Sequence, residues 1–376
     1  MRVSFVWQRS SVFLPRPLPG SCPQKWDCRE RGAGGRTPGM RAELSVRALR
    51  ESFMTSRERV QRVLSGQLPD RLPFNFWMDR DRMAELDRRY GADFRLTHYG
   101  ADVIEGFILL NFWPGLSANT VDDGKTVWQV EPMVRDIREA VDHPMPDPTD
   151  EAVYSDLRQK RAQWPDKAIF ALTGGPFSVL EPLRLAENVF YDVIDHPDAV
   201  HAILKRAEEV FTEAARRACA EDIDVLYIAH DICSRNGAMM SPDMLREFHF
   251  DYLRGMVDAA HAAGKKVFHH TDGYVMDILD LFIEYGFDGI NPLEPRYHDS
   301  EEFVRRSSGR LMVYGGGDNC NIIPDGTPDE VRAHVRRQFE VLGANGGYIF
   351  STHDIPSHCP DENLDAMVEA IKDCRY

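Results

Sequence analysis

The sequence contains no apolar run of the roughly 18 residues that a membrane helix needs. Its best run, residues 103–113, is interrupted by Glu105 and Asn111. Membrane association is not expected. Cysteine is sparse: seven residues, at positions 22, 28, 219, 233, 320, 359 and 374, with no Cys-x-x-Cys pair. An odd, scattered set excludes a disulfide framework and zinc-finger spacing, and the expected compartment is a reducing cytoplasm. Positive charge is short as well. Lys plus Arg number 45 against 60 Asp plus Glu, a net of -15, which argues against a nucleic-acid-binding face. A GxGxxG turn and an internal repeat of fixed period are both missing.

What remains is an ordinary globular balance over 376 residues, 43% hydrophobic and 28% charged. Such a chain buries a core without staples. The charge is uneven. Residues 1–53 hold ten Lys/Arg and four Asp/Glu, a net of +6, so the rest carries -15 - 6 = -21. This segment also has five Pro, five Gly and no sustained hydrophobic period. It reads as a disordered or mis-assigned extension, with Met40 or Met54 as the real start. Residues 54–376 form the expected domain.

From Met54 the pattern changes. Thr55-Ser56-Arg57-Glu58 is a helix-start signal. Eight short apolar runs follow, at residues 72–78, 102–108, 168–173, 225–229, 266–270, 289–293, 311–314 and 347–351. Helical patterns separate most of them, most clearly at 197–219, 242–263, 276–285 and 327–342. Strands alternating with helices predict a parallel sheet. Eight units predict an α/β fold, a (β/α)8 TIM barrel forming a single domain, with an insertion after the second strand. A doubly wound open sheet is the alternative. The insertion, residues 109–165, holds an expected hairpin around Asp122-Asp123-Gly124-Lys125 and a Pro-rich loop at 143–148.

In a barrel, function collects at the C-terminal strand ends. Here the runs stop repeatedly at Asp, Glu or His, which packing alone does not explain. His270 and Asp272 are two apart and share a face, and His353 ends the eighth run. Two imidazoles and a carboxylate suit Zn²⁺ or Fe²⁺, with Glu294 as a fourth ligand or a supporting partner. The alternative is a hydrogen-bonded polar cluster that orients an organic substrate without metal. His269 is expected to face the helix layer.

Asp102, Glu105, Asp231 and Asp318 are candidates for acid–base work, at least two of them expected to be structural. The glycines at 315–317 precede no Lys-Ser/Thr pair, so they form no P-loop and are expected to let a ligand approach the backbone. Cys233 and Cys320 are expected to be inert.

Several motifs together resemble the uroporphyrinogen decarboxylase superfamily over residues 55–374. They are Arg57-Glu58-Arg59-Val60, Asp70-Arg71-Leu72-Pro73-Phe74, Ser241-Pro242-Asp243-Met244-Leu245-Arg246-Glu247-Phe248 and Ala262-Ala263-Gly264-Lys265-Lys266-Val267. Further along come His270-Thr271-Asp272-Gly273, Gly289-Ile290-Asn291-Pro292-Leu293-Glu294-Pro295, Gly326-Thr327-Pro328-Asp329-Glu330-Val331 and Pro360-Asp361-Glu362-Asn363-Leu364. The resemblance implies a (β/α)8 enzyme, either a cofactor-free decarboxylase of a tetrapyrrole or a corrinoid-dependent methyltransferase that uses zinc.

Against the decarboxylase branch, only Arg80 matches its arginine-rich signature, Asp102 and His353 match single positions, and its tyrosine falls near Glu181-Pro182 and is missing. The methyltransferase branch holds zinc with a His-x-Cys pair and a later Cys; the matching positions here are His270, Asp272 and His353.

The resulting expectation is metal-assisted methyl transfer with a corrinoid cofactor or corrinoid protein as partner. A divalent metal, zinc foremost, would sit on His270, Asp272 and His353. Asp102, Asp231 and Glu294 would be catalytic, and Trp77, Arg80, Glu105, His230 and Asp318 would bind a small-molecule or tetrapyrrole substrate. The alternative is decarboxylation of a tetrapyrrole or other acid without metal, with Asp102 and Arg80 as key residues. A homodimer is expected, as relatives often form one.

Overall fold

A computed structural model describes residues 54–113, 115–116, 119–123 and 127–376; the expected extension over 1–53 lies outside them. Seven of the eight apolar runs become strands of one parallel sheet: β2 (Val103–Phe107), β5 (Ala168–Thr173), β6 (Val225–Ala229), β9 (Lys266–His270), β10 (Gly289–Asn291), β11 (Met312–Gly316) and β12 (Tyr348–Ser351). Their spatial order is β12-β11-β10-β9-β6-β5-β2.

The remaining run, 72–78, lies between the sheet's two edges. Phe74 bridges Phe350 in parallel, the Asn75 N–H donates to the Phe350 carbonyl at 3.0 Å, and the Asp102 N–H donates to the Phe74 carbonyl at 2.8 Å. Beyond it β1 (Trp77–Met78) pairs with β13 (Asp354–Ile355), and after β6 a small antiparallel pair joins β7 (Cys233–Ser234) to β8 (Gly237–Ala238). The result is a TIM-barrel-like α/β fold.

Strands buried on both faces need continuous apolar sequence, as in the VLYIA of β6. Alternate residues then divide between two cores. Val103, Phe170, Tyr227, Phe268, Tyr314 and Ile349 pack together inside the curled sheet. Leu226, Ile228, Val267 and Ile290 join the larger cluster under the helices.

The helix starts follow the caps. Thr55 and Thr327 each form a capping box with the glutamate three residues on, Glu58 and Glu330. The long helix Pro197–Ala220 matches its pattern. The stretch 242–263 is not one α-helix. Pro242–Leu245 passes into a π-helical turn, Arg246–Phe250, then a short 3-10 turn, Asp251–Leu253, before α-helix resumes at Arg254–Ala262. The wider turn buries Phe248, His249 and Phe250 together, three consecutive residues that a 3.6-residue period would not keep on one face.

Between β2 and β5, β3 (Thr120–Asp122) and β4 (Val127–Gln129) pair antiparallel as the expected hairpin, whose turn residues 124–126 lie outside the described residues. Among the described residues, no helix is long and apolar enough to cross a membrane.

Candidate metal centre

On β9 the alternation turns Phe268 and His270 inward. His270 ends the strand, and Asp272 follows two residues later. His353 comes from just beyond β12. Two strands, β10 and β11, separate β9 from β12 in the sheet, yet the curvature brings the three side chains together. One ligand atom from each lies within 4.8 Å of the others, the one such metal-capable group among the described residues. His270 Nε2 is 3.8 Å from Asp272 Oδ1, and His353 Nε2 is 3.5 Å from Asp272 Oδ2.

A second carboxylate completes the ring. Asp231 Oδ1 lies 3.7 Å from His270 Nε2 and accepts the Asp272 N–H at 2.9 Å. Asp272 Oδ1 is buried without a hydrogen-bond partner. The unpartnered oxygen thus faces two imidazoles and a second carboxylate, a donor set that a divalent cation would satisfy.

The turn after Asp272 is held closely. Gly273 has φ +89°, and a Cβ there would stand 2.5 Å from the Ser234 carbonyl carbon and oxygen. Its N–H donates to Glu294 Oε2 at 2.8 Å. Arg296 grips Glu294 Oε1 through Nη2 at 2.9 Å and reaches Cys320 Sγ through Nη1 at 2.8 Å. Glu294 therefore stands behind the Asp272–Gly273 turn as a supporting partner. Burial first, then the Asp272 charge, raises the Glu294 pKa; the same two causes, in the same order, raise that of Asp231. Burial tends to lower the His353 pKa, but Asp272, Asp354, Glu294 and Asp231 outweigh it and carry it to about 9.

The other expected residues divide. Asp102 requires correction. It precedes β2, at the N-terminal end of the sheet, whereas His270 closes β9 at the opposite end. Its buried carboxylate is taken up by Arg59 at 2.7 Å, Arg71 at 2.8 Å and the Phe74 N–H at 3.1 Å. Such a group ties the fold together and has no access to the mouth.

Glu105 points inside the sheet. Its Oε1 accepts from Asn75, Trp77 Nε1 and Tyr314, while Oε2 is buried and unpartnered. Trp77 carries the Arg95 guanidinium 4.0 Å above its ring. Arg80 reaches Asp122 of the hairpin. His230 does not join His270. It follows the outward alternation of Leu226 and Ile228 and sits 3.3 Å from buried Glu181, beside His249. Asp318 closes a turn, accepting from the Cys320 and Asn321 N–H groups.

His269 does face the helices, 3.0 Å from His249 through their Nε2 atoms. Cys233 is buried, and burial pushes its thiol up to about 12, an inert state. The glycine run is also corrected: added Cβ atoms at Gly315 and Gly317 would meet Leu293 N at 2.4 Å and Thr352 Cγ2 at 2.5 Å. These glycines admit neighbouring strands, not a ligand. Sequence reading overlooked Tyr227, Asn291 and Arg296. The first two lie on inward or paired positions that the strand alternation would have flagged.

The family model described as uroporphyrinogen decarboxylase (URO-D) matches residues 118–374. The "Methylcobamide:CoM methyltransferase MtbA" of Methanosarcina mazei is 22% identical over 205 residues, 54% of this chain and 57% of that protein. The chain thus aligns with a little over half the length of this curated relative. A solved structure, a methyltransferase from Methanosarcina mazei, superposes with a TM-score of 0.65 at 19% identity, covering 85% of this chain and 99% of the other. That likeness concerns the fold. With the family model spanning more than half its length, the chain belongs to the uroporphyrinogen decarboxylase (URO-D) family.

Proposed function

We propose that this protein is a metal-assisted, corrinoid-dependent methyltransferase on a single (β/α)8 barrel, with the 72–78 segment as first strand and the hairpin as an insertion. The observation that carries the proposal is the convergence of His270, Asp272 and His353 around the unpartnered Asp272 Oδ1. The curated relative named as a methylcobamide:CoM methyltransferase supports the class of reaction.

His270, Asp272 and His353 would hold a divalent ion, zinc foremost. Bound there, it would act as a Lewis acid and lower the pKa of a coordinated methyl acceptor. Asp231 faces the same point, and its raised pKa suits it to exchange a proton with the acceptor. Glu294, held by Arg296 and Gly273, would keep the Asp272 turn in place. Trp77 and Glu105 line the inner side and are the best placed of the expected substrate residues; Arg80, His230 and Asp318 are committed to other partners. With Asp and His at positions where relatives use cysteine, the donor set is harder, which weakens the case for a thiol acceptor. The methyl carrier would be a corrinoid cofactor or a separate corrinoid protein.

The decarboxylase reading rested on Asp102 and Arg80, and both are engaged elsewhere. The test is demethylation of methylcobalamin, followed by absorbance with zinc present and a panel of thiol, alcohol and amine acceptors. Turnover is expected with the unaltered chain and its loss in a His270→Ala, His353→Ala double variant. Equal turnover in that variant would remove the proposal.

A further inference from the structure

The metal-facing nitrogen of His270 is set by its neighbour on the next strand. Asn291 on β10 stands in register with His270 on β9. Its Nδ2 lies 2.5 Å from the Tyr314 backbone carbonyl. A carbonyl only accepts, so the NH₂ group must face it; the flipped amide would oppose two oxygens at that distance. The Asn291 Oδ1 is thereby turned toward β9. It lies 2.7 Å from His270 Nδ1 and 2.5 Å from the Tyr227 hydroxyl. That oxygen also only accepts, so the proton of each contact belongs to His270 Nδ1 and to Tyr227. The Tyr227 oxygen, 3.2 Å from Nδ1, is then left as an acceptor. One assignment of donors and acceptors satisfies all four groups.

We infer that Asn291, assisted by Tyr227, is a positioning residue that holds neutral His270 as its Nδ1–H tautomer, leaving the Nε2 lone pair for a metal. In water the Nε2–H form of a histidine is the commoner one, so this bond reverses the ordinary preference. The nitrogen it frees is the one that faces Asp231 and Asp272 at 3.7 and 3.8 Å. Partners behind a ligand that fix tautomer and ring orientation commonly change metal affinity by about 10–100-fold when removed. The inference rests on the proposed metal site for its purpose, but the tautomer itself is measurable without metal.

The test compares Asn291→Leu with Asn291→Asp. Both lose the bond to the Tyr314 carbonyl, so a purely structural role would weaken both alike. Only Asp keeps an acceptor for the His270 Nδ1–H. Nitrogen-15 NMR of metal-free, histidine-labelled protein at about pH 8 should show the His270 Nδ1–H form in the unaltered chain and in Asn291→Asp, and the Nε2–H form in Asn291→Leu. Zinc affinity by competition titration should fall about 10–100-fold in Asn291→Leu and stay within about threefold in Asn291→Asp. Tyr227→Phe, which leaves the Asn291 oxygen in place, should keep the Nδ1–H form. An Nε2–H form in the unaltered chain, or an equal loss in the Leu and Asp variants, would overturn the inference. If zinc fails to bind the unaltered chain, the metal reading falls, and the NMR result still decides the tautomer.

Discussion

His270 and His353 stack across the open end of the sheet, ring centroids 5.7 Å apart and planes 28° from parallel. Asp272 lies against both. The strands that deliver them are not neighbours, so the juxtaposition depends on the curvature of the whole sheet. Several consequences can be measured.

The His353 pKa near 9 gives metal binding a defined pH dependence. Below that value His353 holds a proton that zinc must displace. Apparent zinc affinity should rise by up to about tenfold per unit between about pH 7 and 9, then level off. A competition titration at three pH values checks this, and a flat profile would contradict it. In the metal-free protein the raised pKa acts the other way. It contributes stability below the unfolded-state value, lost as pH rises through about 9.

Asp102→Ala should behave as a structural variant. Removing the buried carboxylate strips Arg71 of its ion-pair partner and leaves Arg59 with Asp70 alone, a loss of about 3 kcal/mol. Urea unfolding should show that loss, while zinc content per folded chain stays unchanged. Normal stability with lost activity would instead return Asp102 to a catalytic role.

Gly273→Ala should disturb the site from the opposite side. The left-handed φ costs an alanine about 1–2 kcal/mol, and its Cβ would strike the Ser234 backbone. Because Gly273 follows Asp272 directly, zinc affinity and melting temperature should fall together. An unaltered zinc affinity would show that the turn does not position Asp272.

The buried pair His249 and His269 sets an acid limit. Burial, the largest cause, pushes both pKa values well below the usual histidine value. The unfolded chain takes up these protons at about 6.5 while the folded one resists, so stability falls as pH drops below that point. Each histidine removes about 1.4 kcal/mol per pH unit until its folded-state value is reached. Unfolding at several pH values between about 4 and 7 measures the slope, and His269→Phe should reduce it.

Much of this was legible in the sequence. Parallel strands buried on both faces must be continuous apolar runs, so the eight runs stood out. Caps such as Thr55 and Thr327 announced their helices because their side chains bond the backbone locally. His270 and Asp272 could be paired because a strand repeats every two residues. What failed depended on partners distant in sequence. Asp102 opens its run, so the direction of the chain already set it at the N-terminal end of a parallel sheet, away from the mouth. That Arg59 and Arg71 take up its charge was not legible, because they come from another segment. His230 was legible by alternation with Leu226 and Ile228, and belonged with His269 on the helix side. The π turn at Arg246–Phe250 was not legible, because a histidine between two phenylalanines does not by itself say that all three are buried.

The central claim is that this constellation holds a metal, and metal content measures it most directly. The full chain, purified without chelator, would be analysed by elemental mass spectrometry beside His270→Ala. The account predicts about one divalent ion per folded chain, zinc foremost, and its loss in the variant. No ion in either protein after zinc is supplied, or equal amounts in both, would contradict it.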